Sequence, residues 1–156
     1  MYYTSQNLNY NLAPFTPSYN GNIAMSTWSN DSGQVDGYMY YYDAYNRLSR
    51  TETILDGIYA DLGDFTEQYN YNKQGNITSL YRANDEDYID VLFMSYNGNQ
   101  LASIQNTMSM VPDYQTMHYH DNENATTEFG YDYNGNLVFD ADRGISTIRY
   151  NVLLVT

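Results

Sequence analysis

The two histidines of the chain are its residues best suited to metal chemistry. His118 and His120 lie two positions apart, so on a strand both imidazoles share one face, a spacing that can ligate a divalent cation. Zinc sites use three or four protein ligands, and no third ligand stands at a matching spacing. The pattern therefore predicts two surface histidines, and we expect no metal and no cofactor.

Acidic residues suggest two further chemistries. The runs Asp85-Glu86-Asp87 and Asp121-Asn122-Glu123-Asn124 carry oxygen ligands for Ca²⁺ but lack the Asp-x-Asp-x-Asp-Gly order, which favours solvated turns. Asp140 and Asp142 alternate as paired acid–base carboxylates can, yet Arg143-Gly144 follows them and indicates a turn with an ion pair. No serine stands in a Gly-x-Ser-x-Gly context. We expect no catalytic residue and no enzyme.

Aromatic residues offer a binding surface. The chain has 20 tyrosines and one tryptophan, so its core must use tyrosine rings whose hydroxyls reach water or a backbone partner. Tyr38, Tyr40 and Tyr42 alternate, and therefore share one face of a strand over 37–42. Trp28, Tyr38 and Tyr40 are the candidate ligand-binding residues, because aromatic rings stack on sugars. Packing within a sheet is the competing and favoured interpretation.

A repeated motif must position all of these residues. Tyr131-Asp132-Tyr133-Asn134-Gly135-Asn136-Leu137 has looser copies at 42–48 and 71–77, and shorter relatives at 19–23 and 96–101. Each copy marks a two-strand unit with connections of variable length. The residues assigned to the repeat are Tyr42, Asp43, Asn46, Leu48, Tyr71, Gly75, Ile77, Tyr96, Gly98, Leu101, Tyr131, Asp132, Gly135 and Leu137.

The repeat specifies a turn. An Asp at its first corner accepts backbone hydrogen bonds, and the fourth position needs a positive φ, which Gly75 and Gly135 supply and Asn46 tolerates. The tyrosine that opens each copy should then face the Leu or Ile that closes it, a pair worth about 0.2–1 kcal/mol.

Two of the turns admit a tighter form. Asn97-Gly98 favours a two-residue type I′ hairpin. Asn134-Gly135 permits the same turn, which leaves two registers open at 131–137. We favour the longer loop there by analogy with the other two copies.

The whole pattern predicts an all-β fold, an antiparallel meander of repeated β-hairpins that forms a curved, twisted sheet. Residues 1–18 are an N-terminal arm or edge strand, and 19–156 are a single β-domain of about five repeats with an insertion near 109–125. Two segments, 30–34 and 56–63, are predicted as turns or loops. The predicted strands are 23–28, 37–42, 47–55, 65–71, 76–82, 88–96, 100–108, 116–120, 126–133, 136–141 and 145–151. Whether the sheet stays open, closes, or completes itself with a second copy is left open.

The charge and the composition of the chain argue against several classes of binding partner. Six Lys and Arg against 19 Asp and Glu give a net charge of −13, which argues against nucleic acid and anionic membrane surfaces. There is no cysteine, no visible signal peptide and no apolar run long enough to span a membrane.

The Tyr-Asp-x-x-Gly-Asn/Arg-Leu pattern resembles the YD repeat of Rhs (rearrangement hotspot) proteins. Residues 140–151 resemble the segment that follows this repeat in members from Bacteroidetes, and 19–23 with Trp28 resemble its opening, so the likeness covers about 17–151. Members of this family build spiralling β-sheets that close into a hollow shell. The shell encloses a toxin domain in bacteria, and a related one supports adhesion in animal teneurins.

The resemblance implies a non-enzymatic scaffold that is secreted or at the cell surface. Its partners would be other repeats or a second copy of the chain, as in a homodimer. The chain departs from the family in size, since five repeats cannot enclose a toxin. It also has no Asp-Pro cleavage element, no toxin domain and an unfamiliar ending at 153–156. The alternative is a module that binds a carbohydrate or a peptide through its Tyr- and Trp-rich sheet faces.

Overall fold

The computed structural model describes residues 18–56, 58–59, 65–84, 87–108, 118–122 and 125–151. These residues form β-strands and no helix, so the all-β prediction is confirmed. Accordingly, no helix among them could cross a membrane. The strands are β1 (Met25–Ser29), β2 (Val35–Tyr42), β3 (Leu48–Leu55), β4 (Ile58–Tyr59), β5 (Glu67–Tyr71), β6 (Ile77–Ala83), β7 (Tyr88–Asn97), β8 (Gln100–Asn106), β9 (Phe129–Tyr131) and β10 (Leu137–Asp140).

The main sheet is an antiparallel meander. Its strands lie in the order β1-β2-β3-β5-β6-β7-β8, and β4 pairs with the end of β3. The last hairpin, β9–β10, forms a separate two-stranded sheet. Its link to β8 passes through Glu128, whose N–H donates to the Ala102 carbonyl at 2.7 Å and whose carboxylate accepts from the Ile104 N–H at 2.8 Å. The Glu128 side chain therefore accepts the hydrogen bond that the backbone of a further strand would accept from β8, and the main sheet ends at β8.

The apolar core of the first three strands lies on one face of the sheet. Met25 faces Met39 across β1 and β2, and Ile54 lies beside them on β3; the three side chains are at most 1% exposed. Gly37 brings β1 close, because a Cβ at this position would stand 2.4 Å from the Ser26 carbonyl oxygen. Glycine is therefore required there by the approach of the two backbones.

The register places each repeat tyrosine opposite the residue that closes its copy, with a bulge beside each pair. At 131–137 this is the longer loop, and the tight two-residue turn is excluded. The pairs are Tyr42 with Leu48, Tyr71 with Ile77, Tyr96 with Leu101, and Tyr131 with Leu137.

The turn between β7 and β8 has the predicted length but not the predicted type. Asn97 pairs with Gln100, so Gly98-Asn99 form the two-residue loop. Gly98 has a φ of +64° whereas Asn99 does not have a positive φ, a combination that corresponds to type II′. The type I′ prediction was wrong because glycine occupies the first central position and not the second.

Three strand predictions need correction. The predicted loop 56–63 contains β4, since Leu55 pairs with Ile58. His118–His120 are not in a strand, and the rest of 116–120 lies outside the described residues. The segment 145–151 makes only a bridge between Ile145 and Asp140. The next backbone hydrogen bond runs from the Ile148 N–H to the Val138 carbonyl. From one contact to the next, this segment advances by three residues and β10 by two, so the regular pairing of an antiparallel ladder is lost. The predicted arm 1–18 lies outside the description except for residue 18.

Candidate functional site

One side-chain oxygen holds the turn of each longer repeat. Asp132 Oδ1 accepts from the N–H groups of Asn134 and Asn136, both at 2.9 Å. Hydrogen bonds from the side chain and the backbone of Asn136 lower the pKa of Asp132. Asn72 accepts the equivalent pair of N–H groups at 3.0 and 2.9 Å without carrying a charge. An acceptor oxygen in this geometry is therefore sufficient for the turn, and Asp132 adds a charge to it.

The turn between β1 and β2 has the same construction. Asn30 Oδ1 accepts from Ser32 N–H at 3.1 Å and Gln34 N–H at 3.0 Å, and Gly33 has a φ of +82°. The sequence predicted only a turn or loop at 30–34. The signal that identifies it is the Asn-x-x-Gly spacing, which Asn72 and its turn share.

The fourth turn position has the left-handed backbone that the repeat predicts. Gly75 and Gly135 have φ values of +93° and +83°, and Asn46 has +61°. Asn46 also accepts a hydrogen bond from the Asn20 side chain at 2.5 Å. The substitution of Asn for Gly thus adds a contact to the neighbouring repeat.

Three repeat tyrosines, and Tyr150 after the last repeat, donate their hydroxyl hydrogen to the backbone of the preceding repeat. Every carbonyl that accepts belongs to the residue that closes that repeat. The bonds are Tyr42 to Ile23 (2.9 Å), Tyr71 to Leu48 (2.6 Å), Tyr96 to Ile77 (2.7 Å) and Tyr150 to Leu137 (2.7 Å). We call these contacts the tyrosine links. Burial raises the pKa of Tyr42, Tyr71, Tyr96 and Tyr131.

A cation joins two successive turns. Arg47 donates from Nε to Asp43 Oδ2 at 2.7 Å within its own turn, and from Nη1 to the Asn72 carbonyl of the next turn at 3.1 Å. Its guanidinium lies 4.4 Å from the ring centre of Tyr71 and 5.2 Å from that of Tyr45. The contacts of Arg47 are therefore structural, like the tyrosine links.

The three candidate ligand-binding residues form one aromatic strip at the edge of the sheet. Trp28 is 51% exposed, and its ring centre lies 5.6 Å from that of Tyr38, which in turn lies 6.4 Å from that of Tyr40. The Tyr40 hydroxyl shares a hydrogen bond of 3.0 Å with the Ser26 hydroxyl. The structure thus brings these residues together with one ring open to solvent.

A buried carboxylate anchors the segment 118–122 to the sheet. Asp90 on β7 is 0% exposed and is ion-paired with Arg82, which donates from Nε at 2.8 Å. Its other oxygen accepts from the Asn106 side chain at 3.0 Å and from Tyr119 N–H at 2.8 Å. Sequence patterning missed this centre, because its members come from four separate segments.

Three carboxylates converge beside this anchor. Single oxygens of Asp121, Glu128 and Asp142 all lie within 4.8 Å of one another. Such oxygens suit a hard cation of the Ca²⁺ class. Burial raises the pKa of Glu128, and the charges of Asp142 and Asp121 add to the effect while N–H groups of Ile104 and Ala125 oppose it.

The acidic predictions need partial correction. Asp140 has the predicted turn and ion-pair role, since Arg143 Nη1 donates to it at 2.6 Å. Asp142 instead is 6% exposed and lies among the converging carboxylates. Asp121 is not in a solvated turn, because its Oδ1 is buried and its Oδ2 accepts from the Asn106 N–H at 2.8 Å. Residues 85–86 and 123–124 lie outside the description.

The two histidines line an open cavity. Their ring centres are 4.2 Å apart with a tilt of 55°. The cavity is also lined by Tyr119, Asn122, Asp142 and Arg143. His118 is half-buried, and its Nδ1 atom is buried without a hydrogen-bond partner.

Comparisons with protein-family models, with curated proteins and with solved structures found no match. The geometry of the chain itself therefore carries what can be proposed about its function.

Proposed function

We propose that the chain is a non-enzymatic structural module, a segment of a hairpin-repeat shell of the Rhs/YD type associated with bacterial toxins. The observation that supports this best is the set of tyrosine links, because each hydroxyl bonds to the closing residue of the repeat that precedes it. A sheet linked in this way grows by addition of further hairpins. Such a sheet provides an extended surface, and this role requires no catalytic residue.

The outer edge of β1 is where such a sheet can add a strand. Within the described part of the chain, no strand pairs with this edge. Tyr40 N–H donates to the Ala24 carbonyl, and alternation along an antiparallel strand then directs the N–H groups of Met25, Thr27 and Ser29 away from β2. An edge with outward N–H groups is a template for pairing with another repeat or a second copy.

Light scattering on the wild type and on Thr27→Pro tests the assembly. Proline removes one outward N–H and leaves the bonds between β1 and β2 in place. We expect the wild-type mass to rise with concentration and the variant to stay monomeric, with Thr27→Ala as the matched control that retains the N–H. Circular dichroism establishes that all three proteins are folded. A wild-type mass that stays monomeric at high concentration would contradict the assembly.

The aromatic strip supports a second candidate function, a surface that binds a carbohydrate or a peptide. Trp28 presents a half-exposed ring next to Tyr38, and a flat sugar face stacks on such rings. A glycan array on the purified chain tests the carbohydrate, with Trp28→Ala expected to abolish any signal and Tyr45→Ala, an exposed ring outside the strip, to retain it. Absence of a hit, together with Trp28 fluorescence that no ligand changes, would reject carbohydrate binding.

A further inference from the structure

We propose that His118 and His120 form a chelating site for a late first-row divalent cation such as Zn²⁺, Ni²⁺ or Cu²⁺. Their ring centres are 4.2 Å apart, close enough for one nitrogen from each imidazole to reach a shared ion at about 2.0–2.1 Å. His118 Nδ1 is buried with no hydrogen-bond partner, although buried polar atoms in folded proteins are nearly always paired. A bound cation would give this atom the partner that it lacks.

The backbone between the two histidines is held by a buried frame. Tyr119 donates its N–H to Asp90 Oδ1 at 2.8 Å, and its carbonyl accepts from the Asn106 side chain at 3.0 Å. Asp90 is fully buried on β7, and Asn106 lies on β8. Both residues that bind the Tyr119 backbone therefore belong to the main sheet. The residue between the histidines is thus fixed on both of its backbone groups, which keeps the two imidazoles side by side. A pre-organised pair of ligands loses less entropy when it binds a cation.

The far end of the same segment is also attached. The Asn122 side chain donates to the Asp142 carbonyl at 2.7 Å, and Asp121 Oδ2 accepts from Asn106 N–H at 2.8 Å. The segment therefore bridges β8 and the turn after β10.

The charges around the cavity favour a cation. Asp142 lines it, and the carboxylates of Asp121 and Glu128 lie within 4.8 Å of Asp142. The cationic Arg143 also lines it, but its guanidinium is ion-paired with Asp140 and its side chain is 66% exposed. Imidazole ligands select Zn²⁺, Cu²⁺ and Ni²⁺ over Ca²⁺ and Mg²⁺, and the remaining coordination positions are open to water from the cavity.

Cu²⁺ bound to the tag-free full-length chain provides the test, because imidazole nitrogen leaves a characteristic electron spin-echo modulation. The chain has two histidines and no cysteine, so only these two side chains can produce the signal. We expect one Cu²⁺ per chain with modulation from two imidazoles. His118→Gln and His120→Gln should each leave one imidazole and weaken binding at least tenfold. Asp31→Asn, which removes an exposed charge in the turn at 30–34, should change neither property.

Three results would overturn the site: no imidazole modulation in the wild type, one Cu²⁺ shared by two chains, or equal Cu²⁺ affinity in the double variant His118→Gln/His120→Gln. The wild-type spectrum and stoichiometry decide the matter even if a variant fails to fold. Displacement of Cu²⁺ by a large excess of Zn²⁺, which binds nitrogen ligands more weakly, with loss of the modulation, extends the result to the redox-inert cation.

Discussion

At the residue scale, Tyr71 serves two repeats at once. Its ring lies opposite Ile77 in its own hairpin, and its hydroxyl donates to the Leu48 carbonyl of the preceding one. The ring's role follows from spacing alone, since i and i+6 face each other around a four-position turn. The partner of the hydroxyl lies on a different hairpin. The local sequence predicts only that the hydroxyl reaches water or a backbone group, and not which one.

Removal of this hydroxyl should weaken the sheet. We predict that Tyr71→Phe lowers the free energy of unfolding by about 0.5–1.5 kcal/mol, because one intramolecular hydrogen bond is lost while the ring is retained. Urea denaturation measures the difference. Tyr133→Phe, at an exposed turn tip, is the control and should match the wild type. Equal stability of Tyr71→Phe and wild type would show that the tyrosine links contribute nothing.

The charge on Asp132 should matter only above its pKa. Since folding lowers the pKa of Asp132, the stability it adds is present above the unfolded value of about 3.9 and is lost as the pH falls through the folded value. We predict that Asp132→Asn is less stable than wild type at pH 7 and that the two converge near pH 2. Urea midpoints over this range measure the trend, and Asn72 shows that asparagine holds the same turn. A difference independent of pH would exclude the charge as its source.

The left-handed backbone at Gly75 should be intolerant of a side chain. No atom lies within 4 Å of a Cβ built at this position, so the cost of Gly75→Ala is conformational and not steric. We predict a loss of about 1–2 kcal/mol, from the penalty for an L-residue at positive φ. Thermal denaturation measures it, with Gln74→Ala in the same exposed turn as the control. An unchanged melting temperature would mean that the turn relaxes to another type.

At the element scale, the hairpins were predictable because the residues that determine each turn lie within the turn itself. Asp or Asn at the first corner and Gly or Asn at the fourth determine the turn, and the turn determines the register of both strands. The boundary between the two sheets was not predictable. It depends on the hydrogen bond from the Ile104 N–H to the Glu128 carboxylate. These two residues are separated by the insertion, so no local spacing predicts that they pair.

Glu128 should control how firmly the β9–β10 hairpin holds to β8. We predict that Glu128→Ala accelerates amide exchange in β9 and β10 and leaves β5 and β6 unchanged, because the bond to Ile104 is lost. Glu128→Gln retains an acceptor and is the matched control.

Because the pKa of Glu128 is raised, the folded protein favours the protonated form of this carboxyl group. Its contribution to stability is complete below the unfolded pKa of about 4.3 and is lost as the pH rises through the folded value. Glutamine cannot ionise, so Glu128→Gln should be at least as stable as wild type at pH 7. A large loss of stability in this variant would instead show that the ionised carboxylate is required.

On the scale of the whole molecule, the fold class and the meander order followed from the repeat, whereas the polar centre around Asp90 did not. That centre gathers Arg82, Asn106 and Tyr119 from segments whose spacing has no period. The same limit applies to the candidate sites. The shared face of Tyr38 and Tyr40 was predictable from strand alternation, whereas the place of Trp28 beside Tyr38 depends on the register of β1 with β2. The surroundings of the histidines depend on the contacts of Tyr119 with Asp90 and Asn106.

In the proposed scaffold, the sheet adds strands at the outer edge of β1. Amide hydrogen exchange at increasing protein concentration tests this most directly. We predict that the N–H groups of Met25, Thr27 and Ser29 become protected as concentration rises, while amides in β5 and β6 exchange at a constant rate. If these three amides exchange equally fast at every concentration, the β1 edge adds no strand and the scaffold proposal fails.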